Sequence, residues 1–502
     1  MLILKPIFVC YKRFSLLIGT LILALSLNAK VHGKNPNVLF IAVDDLNDCI
    51  EPLGGHPDSI TPNFNRLAKM GVTFENAFCN APICNPSRVS LLTGRRPSST
   101  GVYGFQPMRE VSSLKNVVTL PQHFKNNGYH VMGSGKIFHG FGEPHGPDKR
   151  SFDEYGPFNP SGKQAKKIWE DRIPGTQLRW AAKENLAEDP YLDGKAARWT
   201  ADKLKKSHDK PFFLAFGMVK PHLPLYAPEK FFNLYEKENM TLPVINKKDL
   251  EDLDGMAASQ QSKGIKRAIK VEELSKTKDL VHAYLATVSY IDSLIGEVLD
   301  ALEESPHKEN TIIVLWSDHG YHMGEKNTWS KSTLWEESLR IPLFLHAPGV
   351  TPMNVRCKRT VSLIDLYPTL IDLCNLPKIE VLEGRSFLPL LKKADHPWNY
   401  PALSCNGLNN FSVRTENWRY SKYRDGSEEL YDHSKDQKEW RNLAKNPEYD
   451  SVKKELAQHI PKKPVKEAET LWTSIKVSTQ EGGTEERKRK YQELIEAQKK
   501  QN

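Results

Sequence analysis

The chain has 502 residues, 39% of them hydrophobic and 26% charged, which suits one large α/β domain with a smaller companion and excludes a globally disordered chain. Its seven cysteines are too few for a disulfide-scaffold fold of this length. The formal net charge is +9, of which residues 1–29 carry +3 and the rest +6; because no basic stripe interleaved with aromatic residues accompanies it, nucleic acid is not an expected partner.

The first 29 residues have the pattern of a secretory signal. Lys5, Lys12 and Arg13 precede an apolar run at residues 15–27, which is too short to span a bilayer comfortably as a permanent helix. An uncleaved anchor is the alternative interpretation. The sequence therefore predicts a secreted or periplasmic protein, lysosomal if the host is an animal, with no stable membrane insertion.

Residues 30–395 alternate short apolar runs with helical patterns. A strand buried on both faces is predicted at residues 38–43, and further strands at 117–120, 129–132, 212–216 and 311–316. Residues 61–70 have a threonine cap and an early proline, and residues 279–305 repeat apolar positions at three- and four-residue steps, so both are predicted helices. This alternation predicts an α/β fold with a mainly parallel sheet flanked by helices.

The pattern changes after about residue 396. Residues 410–432 alternate in the manner of short strands, with turns at Glu416-Asn417 and Asp425-Gly426, and a helical stretch follows at 448–459. Residues 463–502 are rich in lysine and glutamate, as in a solvated helix or tail. We expect residues 396–502 to form a smaller antiparallel-sheet subdomain with a charged helical tail.

Acidic residues follow two of the predicted strands. Asp44-Asp45 come directly after residues 38–43, and Asp318-His319 come shortly after residues 311–316. Ligands of open α/β sheets bind beyond the carboxyl ends of the strands, where such residues converge. Three carboxylates would repel one another unless a cation lay between them, and oxygen ligands suit Ca²⁺ or Mg²⁺. Each pair alone is equally compatible with a helix cap.

Cys84 precedes a predicted helix start. Pro86 and Ser87 can begin a helix, with Arg88 in its first turn. The free amides and the dipole at such a terminus favour an anion and lower a thiol pKa, which would make the cysteine reactive. A buried or disulfide-bonded cysteine is the other interpretation, and spacing alone favours it.

The segment at residues 84–94, Cys-x-Pro-Ser-Arg-x-x-x-Leu-Thr-Gly, resembles the signature of the type I sulfatases. The resemblance extends over nearly the whole chain after the signal. Its further matches are Asp44-Asp45, Lys136 with His139, Lys220-Pro221-His222, Asp318-His319 and Trp329-Ser330-Lys331. The longer context is most similar to the iduronate-2-sulfatase-like branch, because Asp-His stands where many sulfatases have Asp-Asn. The resemblance implies an alkaline-phosphatase-like fold, with residues 30–395 as the catalytic domain.

The resemblance also implies a modification. In this family the cysteine is converted to formylglycine, an aldehyde, so a formylglycine-generating or sulfatase-maturing enzyme is an implied partner. The hydrated aldehyde would attack sulfur through one hydroxyl and expel the sugar alcohol. The second hydroxyl would then lose its proton and the diol would collapse, releasing sulfate.

The implied roles are distributed over the matched residues. Arg88 and Lys136 would stabilise the diol, and His139 would take the proton of the second hydroxyl. Lys331 and His222 would hold the sulfate, and His222 would protonate the leaving oxygen. One Ca²⁺ ion, with Mg²⁺ as the less favoured alternative, would be bound by Asp44, Asp45, Cys84, Asp318 and His319. His319 could instead contact the diol or the sulfate.

The resemblance implies a sulfated oligosaccharide or polysaccharide as substrate. The branch suggests 2-O-sulfate on a uronate or related sugar of glycosaminoglycan-like material, and a microbial enzyme acting on an ulvan-like polymer is equally compatible. Two alternatives are a phosphatase or phosphodiesterase of the same superfamily fold and a non-catalytic glycan-binding relative. A phosphatase or phosphodiesterase usually has a threonine or serine nucleophile and a second metal. A non-catalytic relative should have lost at least one of the matched residues by substitution.

Overall fold

The computed structural model describes residues 35–140, 144–158, 171–183, 192–260, 262–475 and 483–501. The predicted signal, residues 1–29, lies outside this range. The strands are, in chain order, β1 (Asn37–Asp44), β2 (Val72–Phe78), β3 (His130–Gly135), β4 (Glu154–Tyr155), β5 (Asp171–Arg172), β6 (Arg179–Lys183), β7 (Phe212–Pro221), β8 (Leu225–Pro228), β9 (Thr311–Ser317), β10 (Leu343–His346), β11 (Val355–Ser362), β12 (Ala402–Cys405), β13 (Phe411–Arg414), β14 (Trp418–Lys422) and β15 (Glu428–Asp432).

The α-helices are α1 (Pro62–Met70), α2 (Cys84–Thr93), α3 (Pro97–Thr100), α4 (Leu120–Asn126), α5 (Leu192–Leu204), α6 (Glu229–Phe232), α7 (Gly255–Ser259), α8 (Ser262–Glu273), α9 (Thr277–Glu303), α10 (Glu336–Leu339), α11 (Leu366–Leu373), α12 (Leu388–Lys392), α13 (Asp450–Ala457), α14 (Leu471–Ser474) and α15 (Gly483–Gln501). Within the described ranges, no helix combines the length and the apolar character needed to cross a bilayer.

An eight-stranded sheet in the order β11-β2-β10-β9-β1-β7-β3-β4 forms the centre of the fold. Only β10 runs antiparallel to its neighbours β2 and β9; the other described pairings in this sheet are parallel. The mainly parallel α/β sheet predicted from the sequence is therefore confirmed. A small sheet of order β5-β6-β8 accompanies it.

The side chains of β1 enter two separate cores. Val38, Phe40 and Ala42 pack in a core that also holds residues of α2, α4 and α11. Leu39, Ile41 and Val43 pack in a second core with residues of α1, α5 and α9. Helices thus cover both faces of the sheet, which explains why β1 is apolar throughout instead of alternating with polar residues.

One predicted strand is wrong. Residues 117–120 form no strand, because α4 begins at Leu120 with the Thr119 hydroxyl accepting from the Gln122 amide at 3.3 Å. The carbonyl of Val117 accepts from the guanidinium of Arg109 at 2.8 Å instead of from a neighbouring strand. A short apolar run before a capped helix is difficult to distinguish from a strand by composition alone.

The carboxy-terminal part contains a four-stranded antiparallel sheet in the order β12-β13-β14-β15, followed by α13. The predicted antiparallel sheet and helix are confirmed. By their contacts, residues 37–502 form one unit, so a separate domain beginning near residue 396 stays a prediction. Part of the tail that begins at residue 463 packs against the rest of the protein. The amides of Val465 and Ala468 donate to the carbonyls of Ser98 and Gly101, at 2.7 Å and 2.9 Å.

Candidate active site

The carboxyl ends of β1 and β9 bring the predicted acidic residues together. The two strands are parallel neighbours with Val43 opposite Ser317, so Asp44 and Asp318 emerge at the same edge of the sheet. The amide of Asp45 donates to Asp318 Oδ1 at 3.2 Å. Asp45 has a φ of 60°, a left-handed conformation that aspartate tolerates better than most residues. The chain therefore turns sharply and presents both consecutive carboxylates.

Cys84 is the first residue of α2, and its thiol faces this edge. Its Sγ lies 3.3 Å from Asp44 Oδ1, 3.2 Å from His319 Nε2 and 3.3 Å from Lys331 Nζ. Burial and Asp44 oppose ionisation of the thiol, but Lys136 and Lys331 outweigh them and its pKa is lowered. All six cysteines in the described part of the chain have free thiols, so the disulfide interpretation does not hold for Cys84.

Arg88 lies one turn further along α2 and is fully buried. Its Nε donates to Asp318 Oδ2 at 2.7 Å, and Nη1 donates to the carbonyls of Lys136 and Ile137 at 2.5 Å and 3.0 Å. Among the described residues, Nη2 finds no hydrogen-bond acceptor, and it lies 3.8 Å from Asp44 Oδ1. A buried guanidinium with one unsatisfied nitrogen is suited to receive an oxygen from a ligand or a modified side chain.

Lys136 follows β3 and is held by a tight approach of two backbones. Gly135 has a φ of +67°, and a Cβ atom there would lie 1.8 Å from the Gly217 carbonyl oxygen. The Lys136 amide donates to the same carbonyl at 3.0 Å. The ammonium group pairs with Asp44 Oδ2. Burial would raise the pKa of Asp44, but Lys136 and the other nearby cations hold it well below its usual value.

His139 and His222 are neutral rings at the same site. Burial, reinforced by Lys136, holds the pKa of His139 well below its ordinary value, and its Nδ1 has no hydrogen-bond partner among the described residues. Burial lowers the pKa of His222 to about 4, and its Nδ1 lies 2.7 Å from the Leu223 carbonyl. If Nδ1 carries the proton of that contact, Nε2 of His222 is an acceptor.

Lys331 completes the site from the segment after β9. Its Nζ donates to Asp45 Oδ1 at 2.5 Å as well as to the Cys84 thiol. Burial would lower the pKa of Lys331, but Asp45 raises it well above its usual value. The structure thus brings together all the site residues named from the sequence. Three carboxylates and three permanent cations, Arg88, Lys136 and Lys331, face one another in a buried volume.

The donor set fits a divalent cation. One ligand atom each of Asp44, Cys84, Asp318 and His319 lies within 4.8 Å of the others, and the same holds for Asp44, Asp45, Cys84 and His222. Carboxylate oxygens favour Ca²⁺ or Mg²⁺, whereas a thiol does not. Replacing the sulfur at position 84 by oxygen would leave one imidazole in each set as its only donor other than oxygen, which suits a hard ion better. Burial would lower the pKa of His319, but Asp318 outweighs it and raises the value to about 9, so binding of a cation would displace that proton.

Two neighbours of Cys84 were given no role at the site by the sequence. Ser87, which the sequence indicates as a helix start and as part of the Cys-x-Pro-Ser-Arg match, donates its hydroxyl to the Asp318 carbonyl at 2.5 Å and so joins α2 to the end of β9. Asn85 donates to the carbonyls of Gly104 and Gln106 at 2.7 Å and 2.9 Å. Their partners are distant in sequence, so only their place within the residue 84–94 segment could have indicated them.

Comparisons with known proteins identify relatives of this chain. Residues 36–376 match the family model described as sulfatase, and residues 324–466 match that of the N-sulphoglucosamine sulphohydrolase carboxy-terminal region. A sulfatase of Formosa agariphila is 38% identical over 90% of this chain and 92% of its own length. Human iduronate 2-sulfatase is 33% identical over 77% of this chain and 84% of its own. The crystal structure of a phosphonate monoester hydrolase of Agrobacterium radiobacter is similar in fold, with a TM-score of 0.68, 19% identity and coverage of 84% and 94%.

Proposed function

The chain belongs to the sulfatase family of sulfate-ester hydrolases, and from this premise we propose that it desulfates a sulfated carbohydrate by means of a formylglycine at position 84. The observation that carries the proposal is the placement of the Cys84 side chain, with an acid, an imidazole and an ammonium group each within 3.3 Å of its sulfur. A cysteine needed only for packing would not be surrounded by charged side chains.

Conversion to formylglycine would supply a hydrated aldehyde, in which one hydroxyl takes up the sulfuryl group and the other provides its release. The unsatisfied Nη2 of Arg88 and the Lys136 ammonium group support this assignment, because a diol offers the oxygen acceptors that a thiol lacks. His139, neutral and with an unpartnered Nδ1, is suited to take the proton of the second hydroxyl.

The sulfate group itself would be bound by Lys331 and His222. Lys331 reaches the sulfur of Cys84 at 3.3 Å, so its charge is placed where sulfate oxygens would lie. The leaving sugar oxygen needs a proton, and we assign that donation to His222. Burial lowers the pKa of His222 to about 4 in the free site, so the negative charge of a bound sulfate would have to raise that pKa for His222 to carry the proton.

A bound Ca²⁺ ion would polarise the sulfate ester and acidify the diol, with Mg²⁺ as the alternative ion. Asp44, Asp45, Asp318 and His319 would hold it together with the oxygen at position 84. The same carboxylates are the counter-ions of Lys136, Lys331 and Arg88. The metal ion and the three cationic side chains would therefore be held by the same carboxylates. This arrangement would place the ion and the side chains around the reacting group.

We further propose 2-O-sulfate on a uronate or related sugar as the scissile group. The support is the 33% identity to human iduronate 2-sulfatase over most of this chain. The substrate would be an oligosaccharide of glycosaminoglycan-like or ulvan-like type. Secretion or export to the periplasm, and modification there or earlier by a formylglycine-generating or sulfatase-maturing enzyme, complete the proposal.

The test is a screen of sulfate release. The protein is produced together with a formylglycine-generating enzyme, and ion chromatography measures sulfate freed from 2-O-sulfated uronate disaccharides, their 6-O-sulfated counterparts and ulvan oligosaccharides. We expect release from the 2-O-sulfated substrates by the wild type and none by Cys84→Ser, which keeps an oxygen but lacks the second hydroxyl. Faster hydrolysis of phosphate monoesters would favour the phosphatase alternative, and binding without release would favour a non-catalytic relative.

A further inference from the structure

We propose that Phe105 is a substrate-recognition residue, whose exposed ring packs against a pyranose ring of the bound oligosaccharide. The inference rests on the proposed action on a sulfated carbohydrate and extends it to a residue outside the matched site. Three observations carry it: the exposure of the ring, its contact with His139, and the rigid anchoring of its loop.

Phe105 is 48% exposed although it is a large apolar side chain. Single exposed apolar residues are common on protein surfaces and by themselves indicate nothing. The position of this one is specific: its ring lies 5.0 Å from the ring of His139, at an interplanar angle of 40°. One side of Phe105 therefore borders the reaction centre and the other remains accessible.

The backbone on both sides of Phe105 is fixed by buried polar side chains. Asn85, adjacent to the nucleophile position, donates to the carbonyls of Gly104 and Gln106, the two residues that flank the phenylalanine. The side chain of Gln106, 1% exposed, accepts from the Gly104 amide at 2.8 Å and donates to Glu467 at 2.6 Å. The loop is thus joined both to α2 and to the carboxy-terminal segment.

This anchoring does not serve burial of the ring. Ordering a loop costs conformational entropy, and a loop that hid its phenylalanine would recover that cost through the hydrophobic effect. Here about half of the ring stays exposed, and its loop, 21 residues beyond Cys84, is hydrogen-bonded to Asn85 of the same helix. A rigid, exposed aromatic face next to a reaction centre reduces the entropy lost on binding and presents an apolar surface to the C–H groups of a sugar.

The surroundings suit an anionic sugar. His139 also lines an open pocket whose other lining residues include Arg109, Lys149 and Arg150. Lys149 and Arg150 are exposed and give the rim a basic character, together with Arg109, which is paired with Asp148. A carboxylate-bearing oligosaccharide that packs on Phe105 would approach the site along a surface of favourable charge.

The test compares Phe105→Ala with the wild type on a 2-O-sulfated uronate disaccharide and on its desulfated product. We expect KM for the first and Kd for the second to rise about tenfold, equivalent to about 1.4 kcal/mol. The kcat should change by less than about twofold, because the ring makes the same contact in the ground state and the transition state. Phe105→Trp should have KM and Kd values close to those of the wild type, and Phe105→Leu should have values between those of the wild type and of Phe105→Ala.

Two controls separate a sugar contact from an indirect effect on the centre. The inhibition constant for inorganic sulfate, which has no ring to stack, should be the same in Phe105→Ala and the wild type. Tyr400→Ala should leave all constants unchanged, since Tyr400 is 45% exposed but packs over Arg385, with its ring centroid 4.3 Å from the guanidinium carbon, and borders no site residue that we identify.

Each outcome is informative. Unchanged KM and Kd in Phe105→Ala would overturn the inference while the proposed function stands. A parallel change in sulfate inhibition would overturn it too, since the ring would then act through His139. Product binding that depends on Phe105, in a wild type that releases no sulfate, would support the inference and contradict the proposed function. If the wild type binds neither the sulfated disaccharide nor its desulfated product, both the inference and the proposed function are overturned.

Discussion

Replacing Arg419 by methionine should destabilise the fold by about 3–5 kcal/mol, because it leaves the buried carboxylate of Glu439 without its main ionic partner. Arg419 lies on β14 and is fully buried, with ion pairs to Glu336 on α10 and to Glu439. Its Nη1 also donates to Ser412 Oγ at 3.0 Å. After the substitution, Glu439, whose side chain is 1% exposed, keeps His433 at 3.0 Å as its one basic partner in the described part of the chain. The four-stranded sheet would thereby lose one of its two arginine contacts to Glu336, while Arg414 on β13 keeps the other at 3.1 Å.

Urea denaturation followed by tryptophan fluorescence measures the loss. The matched control is Arg359→Met, whose partner Glu416 lies at 2.8 Å but in a pair where both side chains are about one-third exposed, so we expect a loss below about 1 kcal/mol. An Arg419→Met loss no larger than that of the control would refute the reasoning.

The stability lost in Arg419→Met should also depend on pH. Burial would raise the pKa of Glu439, but Arg419 and His433 hold it below its ordinary value. A carboxyl with a depressed folded pKa contributes stability above its unfolded pKa, about 4.3, and loses it as the pH falls towards the folded value. The difference between Arg419→Met and the wild type should therefore shrink below about pH 4. A difference that stays constant down to pH 3 would argue against an ionic origin.

Three further predictions concern the site. Lys136→Met should lower kcat about 10²–10³-fold, because the diol loses a stabilising ammonium group and Asp44 loses its partner. The exposed Lys210→Met serves as control, and near-normal turnover of Lys136→Met would exclude the assigned role of Lys136. Exhaustive chelation should stop sulfate release, and added Ca²⁺ should restore it. Full turnover by metal-free protein would contradict the proposed role of the cation. Gly135→Ala should reduce both the melting temperature and activity, since the new Cβ would lie 1.8 Å from the Gly217 carbonyl oxygen; wild-type values for both would show that the backbones can separate there.

The sequence predicts best those elements whose pattern is long or continuous. The apolar β1 and the 27-residue helix α9 were predicted to within two residues at either end. The hairpins of β13 to β15 were predicted from their alternation and turns. Local chemistry determines such elements, so they can be inferred without knowledge of their neighbours.

Other features depend on distant contacts and could not be predicted. β10 has four residues and is antiparallel to both neighbours, a position in the sheet that its composition does not indicate. The anchoring of Phe105 joins Gln106 to Glu467 across 361 residues of sequence. The tail that provides Glu467 was expected to be merely solvated. For the site, the motif matches named the residues, but only the structure shows that their charged groups converge on the sulfur of Cys84.

The most direct test of the account is the mass of the peptide that contains residue 84, isolated from protein that releases sulfate. Conversion of cysteine to formylglycine exchanges sulfur for oxygen with loss of two hydrogens, a change that lies outside ordinary thiol oxidation, and we expect the peptide to be lighter than the encoded one by about 18 Da. Fully active protein in which Cys84 carries an unmodified thiol, or is joined to another cysteine, would contradict the proposed chemistry.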